Sequence, residues 1–202
     1  MKKTVAIAFL YLVATLALQA RTPRLEFGVE WGYCPALFYW NHLEYLTDDQ
    51  YFIRSKGRDW TYTSNGMAII YAGLDINSRA VIRLHAGYQG VDRGLRTIPV
   101  GLQAAYYFAG TSSQGWLTFV GTSVGISMQS LPPSLTLDIG AGYRFELGSR
   151  FYFDMKAAFR FSSAQPENIW DPITELLVTR PQMRVCDHYL GGISLSMALV
   201  FR

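Results

Sequence analysis

The chain has 202 residues, half of them hydrophobic and 15% aromatic, with a formal net charge of +3. That length fits one domain. The small charge, with no basic run and no basic patch interleaved with aromatics, argues against a nucleic-acid partner. Two cysteines are too few for a disulfide scaffold or a cysteine-based zinc site.

Lys2 and Lys3 precede an almost unbroken apolar run over 5–18, which Gln19 and Ala20 end. This is the pattern of a secretory signal peptide. Cleavage is expected after Ala20, giving a signal of 1–20 and a mature domain of 21–202. The large Leu18 three positions back leaves Ala17 as an alternative, and an uncleaved anchor is the other reading. No Cys follows closely enough to carry a lipid. Beyond this point no stretch is long and apolar enough for a spanning helix.

The rest reads as strands. Leu25, Phe27, Val29, Trp31 and Tyr33 alternate with Glu26, Gly28, Glu30 and Gly32. A helix would smear that apolar set around its axis. Four less regular strands follow, near 66–76, 80–90, 97–108 and 116–127. Over 134–147 the odd positions from Leu135 to Leu147 are apolar, while Asp138, Arg144 and Glu146 fall on the other face. Gly148-Ser149 signals a tight turn. Over 151–161 Phe151, Phe153, Met155, Ala157, Phe159 and Phe161 oppose Asp154, Lys156 and Arg160. Tyr189, Ile193, Leu195, Met197, Leu199 and Phe201 close the series. Pro99 stands near the start of its strand, where a missing ladder donor is tolerated.

These make eight strands. At roughly 9–14 residues each they suit a tilted membrane crossing better than a soluble strand of about 5–6. The connections alternate: 77–79, 109–115 and 148–149 are short, 91–96 and 129–133 modest, 34–65 and 162–187 long. Aromatics cluster near strand ends: Tyr33, Tyr88, Tyr106, Tyr107, Phe108, Trp116, Phe151, Tyr189 and Phe201. The expected fold is therefore all-β, an eight-stranded antiparallel transmembrane β-barrel with both termini periplasmic. A soluble barrel is the competing reading, but it would place its charges outward.

The segments Thr97-Ile98-Pro99-Val100-Gly101-Leu102, Val120-Gly121-Thr122-Ser123-Val124-Gly125, Asp138-Ile139-Gly140-Ala141-Gly142-Tyr143 and the aromatic strand over 151–161 resemble the PorT-like outer-membrane β-barrel domain family. The resemblance covers most of the mature chain. It implies a signal peptide, a single barrel and outer-membrane insertion, with no one shared activity. Phe201, followed by Arg202, resembles the terminal aromatic signal read by barrel-insertion machinery.

Three constellations are candidates for chemistry. Glu26, Glu30, Asp75, Arg83, His85, Asp138, Arg144, Glu146, Asp154, Lys156 and Arg160 are expected to face the lumen. An eight-stranded barrel has room there for side chains alone, so paired charges forming a plug are expected, with a proton or small-ion path as the sharper reading. Cys34 and Cys186 fall at the outer ends of the first and last strands, which are neighbours in a closed barrel; they are either a disulfide or two free thiols. The first loop, 34–65, is rich in aromatics, with Phe38, Tyr39, Trp40 and Trp60 as the expected contact surface. It either caps the barrel mouth or meets a partner, sugar or lipid head group.

His42, Glu44, Asp48 and Asp49 show no ligand spacing, so no metal or other cofactor is expected. Some small barrels are lipid-modifying enzymes, whose chemistry needs a Ser, a His and a carboxylate near the outer rim. Asp187 and His188 are the one plausible orienting pair, and no matching Ser is evident. The expected function is a non-enzymatic outer-membrane barrel with a plugged lumen, in contact with lipid, whose outer loops either bind a ligand or dock onto a larger envelope assembly, with an envelope protein as candidate partner. The alternative is an outer-leaflet lipid-modifying enzyme.

Overall fold

The computed structural model describes residues 24–47, 50–92, 95–128, 131–165, 168–171 and 175–202. The signal peptide and its cleavage at Ala20 lie outside them. Among the described residues there are twelve strands: β1 (Leu25–Tyr33), β2 (Ala36–Leu46), β3 (Phe52–Thr63), β4 (Gly66–Asp75), β5 (Ala80–Gly90), β6 (Arg96–Tyr107), β7 (Gly115–Ser127), β8 (Ser134–Gly148), β9 (Phe151–Ala164), β10 (Asn168–Asp171), β11 (Leu176–Thr179) and β12 (Met183–Phe201).

Eight of them close a barrel in the order β1-β4-β5-β6-β7-β8-β9-β12, with β12 paired back onto β1 from Phe27↔Phe201 to Tyr33↔Leu195. Every pairing is antiparallel; β4 to β9 follow one another through single turns or loops, while β2–β3 lie between β1 and β4, and β10–β11 between β9 and β12. Closure removes the unpaired edges that an open sheet would expose. Period two does the rest: along β7 and β9 exposed and buried residues alternate almost without a break. Pro99 has no N–H to give, and the β5–β6 ladder skips there, between Ala86↔Val100 and Gln89↔Thr97.

The turns at 76–79, 108–114 and 149–150 share one end of the barrel with Arg24 and Arg202. There the Asp75 amide donates to the Arg24 carbonyl (3.0 Å), that of Tyr107 to Arg79 (2.7 Å) and that of Arg202 to Arg150 (3.0 Å).

The opposite end departs from expectation. Segment 34–65 is a strand pair, not a loop. β2 follows β1 along the same edge of β12: Tyr33 pairs with Leu195 and Ala36 with Gly192, across the break at Cys34-Pro35. β3 descends beside β2 and runs into β4, from Ala36↔Thr63 to Tyr33↔Gly66. The first hairpin thus rises above the barrel, and β12, at 19 residues, rises with it. Gly191 and Gly192 permit the step. A Cβ at Gly191 would stand 1.9 Å from the Phe38 ring, and one at Gly192 2.0 Å from the Pro35 carbonyl oxygen. Part of the other long connection also forms a hairpin, β10–β11, against the inner face of this tower. Val178 packs with Leu43 and Tyr45, while Asp171 accepts hydrogen bonds from the Tyr45 hydroxyl (2.8 Å) and the Ser55 hydroxyl (2.9 Å).

Candidate functional site: a charged lumen, an apolar belt and an aromatic tower

The lumen is filled in tiers by groups that strand alternation turns inward. Asp154 is opposite Arg144 in the β8–β9 register and accepts from its Nε (2.7 Å) and Nη2 (2.8 Å). Arg83 stands 3.6 Å from the same carboxylate and donates through Nε to Glu26 (2.6 Å). Glu26 also accepts from Arg202 (2.8 Å), which bonds Asp75 as well (2.7 Å). One tier up, Lys156 pairs with Glu30, and Glu30 accepts from the Ser196 hydroxyl (2.7 Å). Higher still, Asp138 faces Arg160 across the ladder and takes both its Nε (2.7 Å) and Nη2 (2.8 Å). His85, half-buried, lines the residual cavity beside this tier.

Tyr107 ties the lower tier together. Its place near a strand end suggests an interfacial girdle, yet it is 1% exposed. Its hydroxyl accepts from Arg83 and from Arg144 (2.8 Å) and donates to Asp154 (3.1 Å). The Arg144 guanidinium lies 4.1 Å above its ring. Parity was the available signal: Tyr107 shares its face with Gln103 and Ala105, whereas Tyr106 and Phe108 share theirs with the outward set. Glu146 is the opposite correction. It stands exposed near the turn and belongs to no ion pair among the described residues. Arg202, read only as trailing an aromatic signal, instead holds Glu26 and Asp75 across the end of the barrel.

The cavity lined by Glu30, Tyr71, Arg83, His85 and Arg160 is about 20 Å3, room for one water. Above it Ala36, Val91, Leu95, Ala164 and Leu190 form an apolar cluster, with Tyr39 packed against them. The protein is expected to give no stable large conductance in planar bilayers. Reproducible porin-sized steps would contradict the filled lumen.

The outer wall is the inverse of a soluble surface. Val29, Trp31, Ile70, Leu84, Leu102, Val120, Ile139, Phe159, Leu195 and Met197 are all exposed, Phe159 by 75%. Aromatic pairs edge this belt, Trp116 with Tyr143 and Phe151 with Phe201 at the turn end. Tyr33 and Tyr62, hydrogen-bonded to each other, mark the tower end. An apolar area of this extent in water would drive aggregation, and in a bilayer it is the required solvent contact.

On the tower, the outward face repeats across strands. Phe38 meets Trp60 and Phe161 at its foot, and Trp40 meets Tyr189 one row higher. Trp60 is 80% exposed. Tyr39 does not belong to this surface, because it turns inward and stacks on His188. Above the aromatics, Arg54 pairs with Glu44 (2.6 Å), and His42 lies between Glu44 (3.5 Å) and Asp187 (3.8 Å).

Cys34 and Cys186 are both free. Cys34 is buried with Met67 and Ile69 at the barrel rim, whereas Cys186 pairs with Leu43 in the tower. The extra height of β12 separates them by roughly 25 Å along the strands. Burial pushes the Cys186 thiol up to about 11, and the Asp187 carboxylate adds to it. Alkylation of the unreduced, denatured protein is therefore expected to label two thiols. In the folded protein at pH 7–8 Cys186, held protonated, is expected to react slowly. A mass consistent with one disulfide would contradict this geometry.

The expected Asp187–His188 orienting pair is also undone by alternation. Asp187 points outward to His42, while His188 points inward, 3.4 Å from Asp92.

A closed barrel with charges inside and an apolar belt outside defines the class: this is a transmembrane β-barrel. Among solved structures the chain is similar to Neisserial surface protein A (11% identity, TM-score 0.47, covering 90% of this chain and 99% of that one). It is similar to outer membrane protein AlkL (10%, 0.39, 91% and 92%) and to outer membrane protease OmpT from Escherichia coli (8%, 0.35, 87% and 96%). No protein-family model and no curated protein matches the chain. At such identities the likeness concerns the fold alone.

Proposed function

We propose that this protein is a non-enzymatic barrel of the bacterial outer membrane whose tower is a docking surface for another envelope component. In this reading the short-turn end and both termini face the periplasm and the tower faces outward. The strand motifs named above support placing it among PorT-like barrels. One observation carries the proposal: Phe38, Trp40 and Trp60 are presented together on one outward face, while the opposite face packs on a buried core and the Asp171 hydrogen bonds. Exposed aromatics are the residue types that anchor protein interfaces. Paired charges crowd the lumen among the described residues, which speaks against a wide transport path, and alternation turns Asp187 and His188 to opposite faces, which supports the non-enzymatic reading over the lipid-modifying one.

Affinity purification in mild detergent tests docking. The wild-type barrel is expected to retain an envelope protein that Trp40→Ala/Trp60→Ala loses, both migrating as folded barrels on unheated gels. Repeated recovery of the barrel alone would contradict it. The lipid A mass profile is expected to be unchanged when the gene is removed; an altered profile would favour the enzyme. Asp171→Ala is expected to loosen the tower by about 1–3 kcal/mol, leaving buried hydroxyls short of an acceptor. It should be read as faster proteolysis above the rim with the barrel intact.

A further inference from the structure

Between the free edge of β3 and the tops of β5 and β6 lies a polar notch of about 420 Å3. It arises where the tower leaves the wall. β4 is paired on both sides, with β1 and β5, whereas β3 pairs with β2 alone. Tyr62 and Tyr88, both outward and exposed, flank the notch, and Arg96 lines it with Ser64 and Asn65. Its level is fixed by its neighbours. Tyr62 bonds Tyr33 at the top of the belt, and Ile98, the next outward residue below Arg96, is part of that belt.

Charge is the second observation. Arg96 is exposed and meets no carboxylate within ion-pair distance among the described residues. Asp92, the acid lining the notch, stands 3.4 Å from His188. Further up the same outward face Lys56 and Arg58 likewise have no ion pair among the described residues, whereas Arg54 is matched by Glu44. Outward cations therefore stand directly above a lipid-facing wall, in a recess of ligand size.

We propose that this notch seats the phosphate-bearing head group of an outer-leaflet lipid. Arg96 pairs with the phosphate, the Tyr62 and Tyr88 hydroxyls donate to its oxygens, and Arg58 takes a further anionic group. The acyl chains run down the belt past Ile98. Continuity with the belt selects a lipid over a soluble anion, because a free phosphate makes no use of the apolar wall below. The proposal rests on the orientation given above, which protease access to the tower on whole cells reads separately.

The test uses the mature protein in phosphatidylcholine nanodiscs titrated with bisphosphorylated lipid A, with bound lipid counted by native mass spectrometry. Arg96→Gln is expected to weaken binding roughly tenfold, as loss of a charge-assisted contact predicts. Arg96→Lys, which keeps the charge and not the fork, is expected to fall between it and wild type. Arg79→Gln, at the exposed turn of the opposite end, is expected to bind as wild type, and mobility on unheated gels confirms that each variant is folded. Equal binding by Arg96→Gln and wild type would overturn the proposal. So would equal binding of dephosphorylated lipid A, displacement by millimolar inorganic phosphate, or equal binding of phosphatidylglycerol, which would mark a generic anion surface.

Discussion

Asp154→Ala is expected to destabilise the barrel by about 3–5 kcal/mol, the usual effect of removing one partner from a buried ion pair. Asp154 is fully buried; it accepts from Arg144 and Tyr107 and is the ion-pair neighbour of Arg83. Without it two guanidinium groups remain in a closed lumen with Glu26 as the nearest counter-charge, itself already engaged by Arg202. Urea unfolding in micelles, followed by loss of the folded band on unheated gels, reads the effect. Arg144→Met in the same chain is expected to restore part of the loss, because it removes a stranded charge along with its partner. If Asp154→Ala matched wild type, the tiers would not be a buried network.

Ile139→Arg is the second large effect. Ile139 is exposed near the middle of β8, with Val120 and Phe159 beside it across the ladder. In water such a change is close to neutral, and on the lipid face near the midplane it costs about 2–4 kcal/mol. The expected result is reduced stability in bilayers, with a smaller penalty for Leu135→Arg, which lies nearer the rim. A neutral outcome at Ile139 would point to a solvated wall.

Much of this was legible in the sequence because period two writes lumen and lipid onto alternate residues. Glu26, Glu30, Arg83, Asp138, Arg144, Asp154, Lys156 and Arg160 all face inward as the alternation requires. The tower was not legible. Pro35 interrupts the first strand pattern, and β2 carries large apolar groups on both faces because both are used: Tyr39, Leu43 and Tyr45 pack inward, while Phe38 and Trp40 stand outward. On β3 the cations that keep an edge strand soluble imitate a solvated loop. Of the two readings open for the cysteines, the disulfide loses its ground for the same reason. It placed both cysteines at one rim, and the unforeseen height of β12 carries Cys186 away. Tyr107 shows the limit of composition: an aromatic at a strand end suggests an interface, and only its parity assigns it to the lumen.

The central claim is that the barrel is inverted, with lipid outside and charge within. A nitroxide scan along 135–145 of β8, in a background with both native cysteines replaced and the protein in bilayers, tests it most directly. Accessibility to oxygen, which concentrates in lipid, is expected to peak at every odd position from Leu135 to Phe145 and to fall at the even ones. Odd positions accessible instead to a water-soluble nickel reagent would contradict the account.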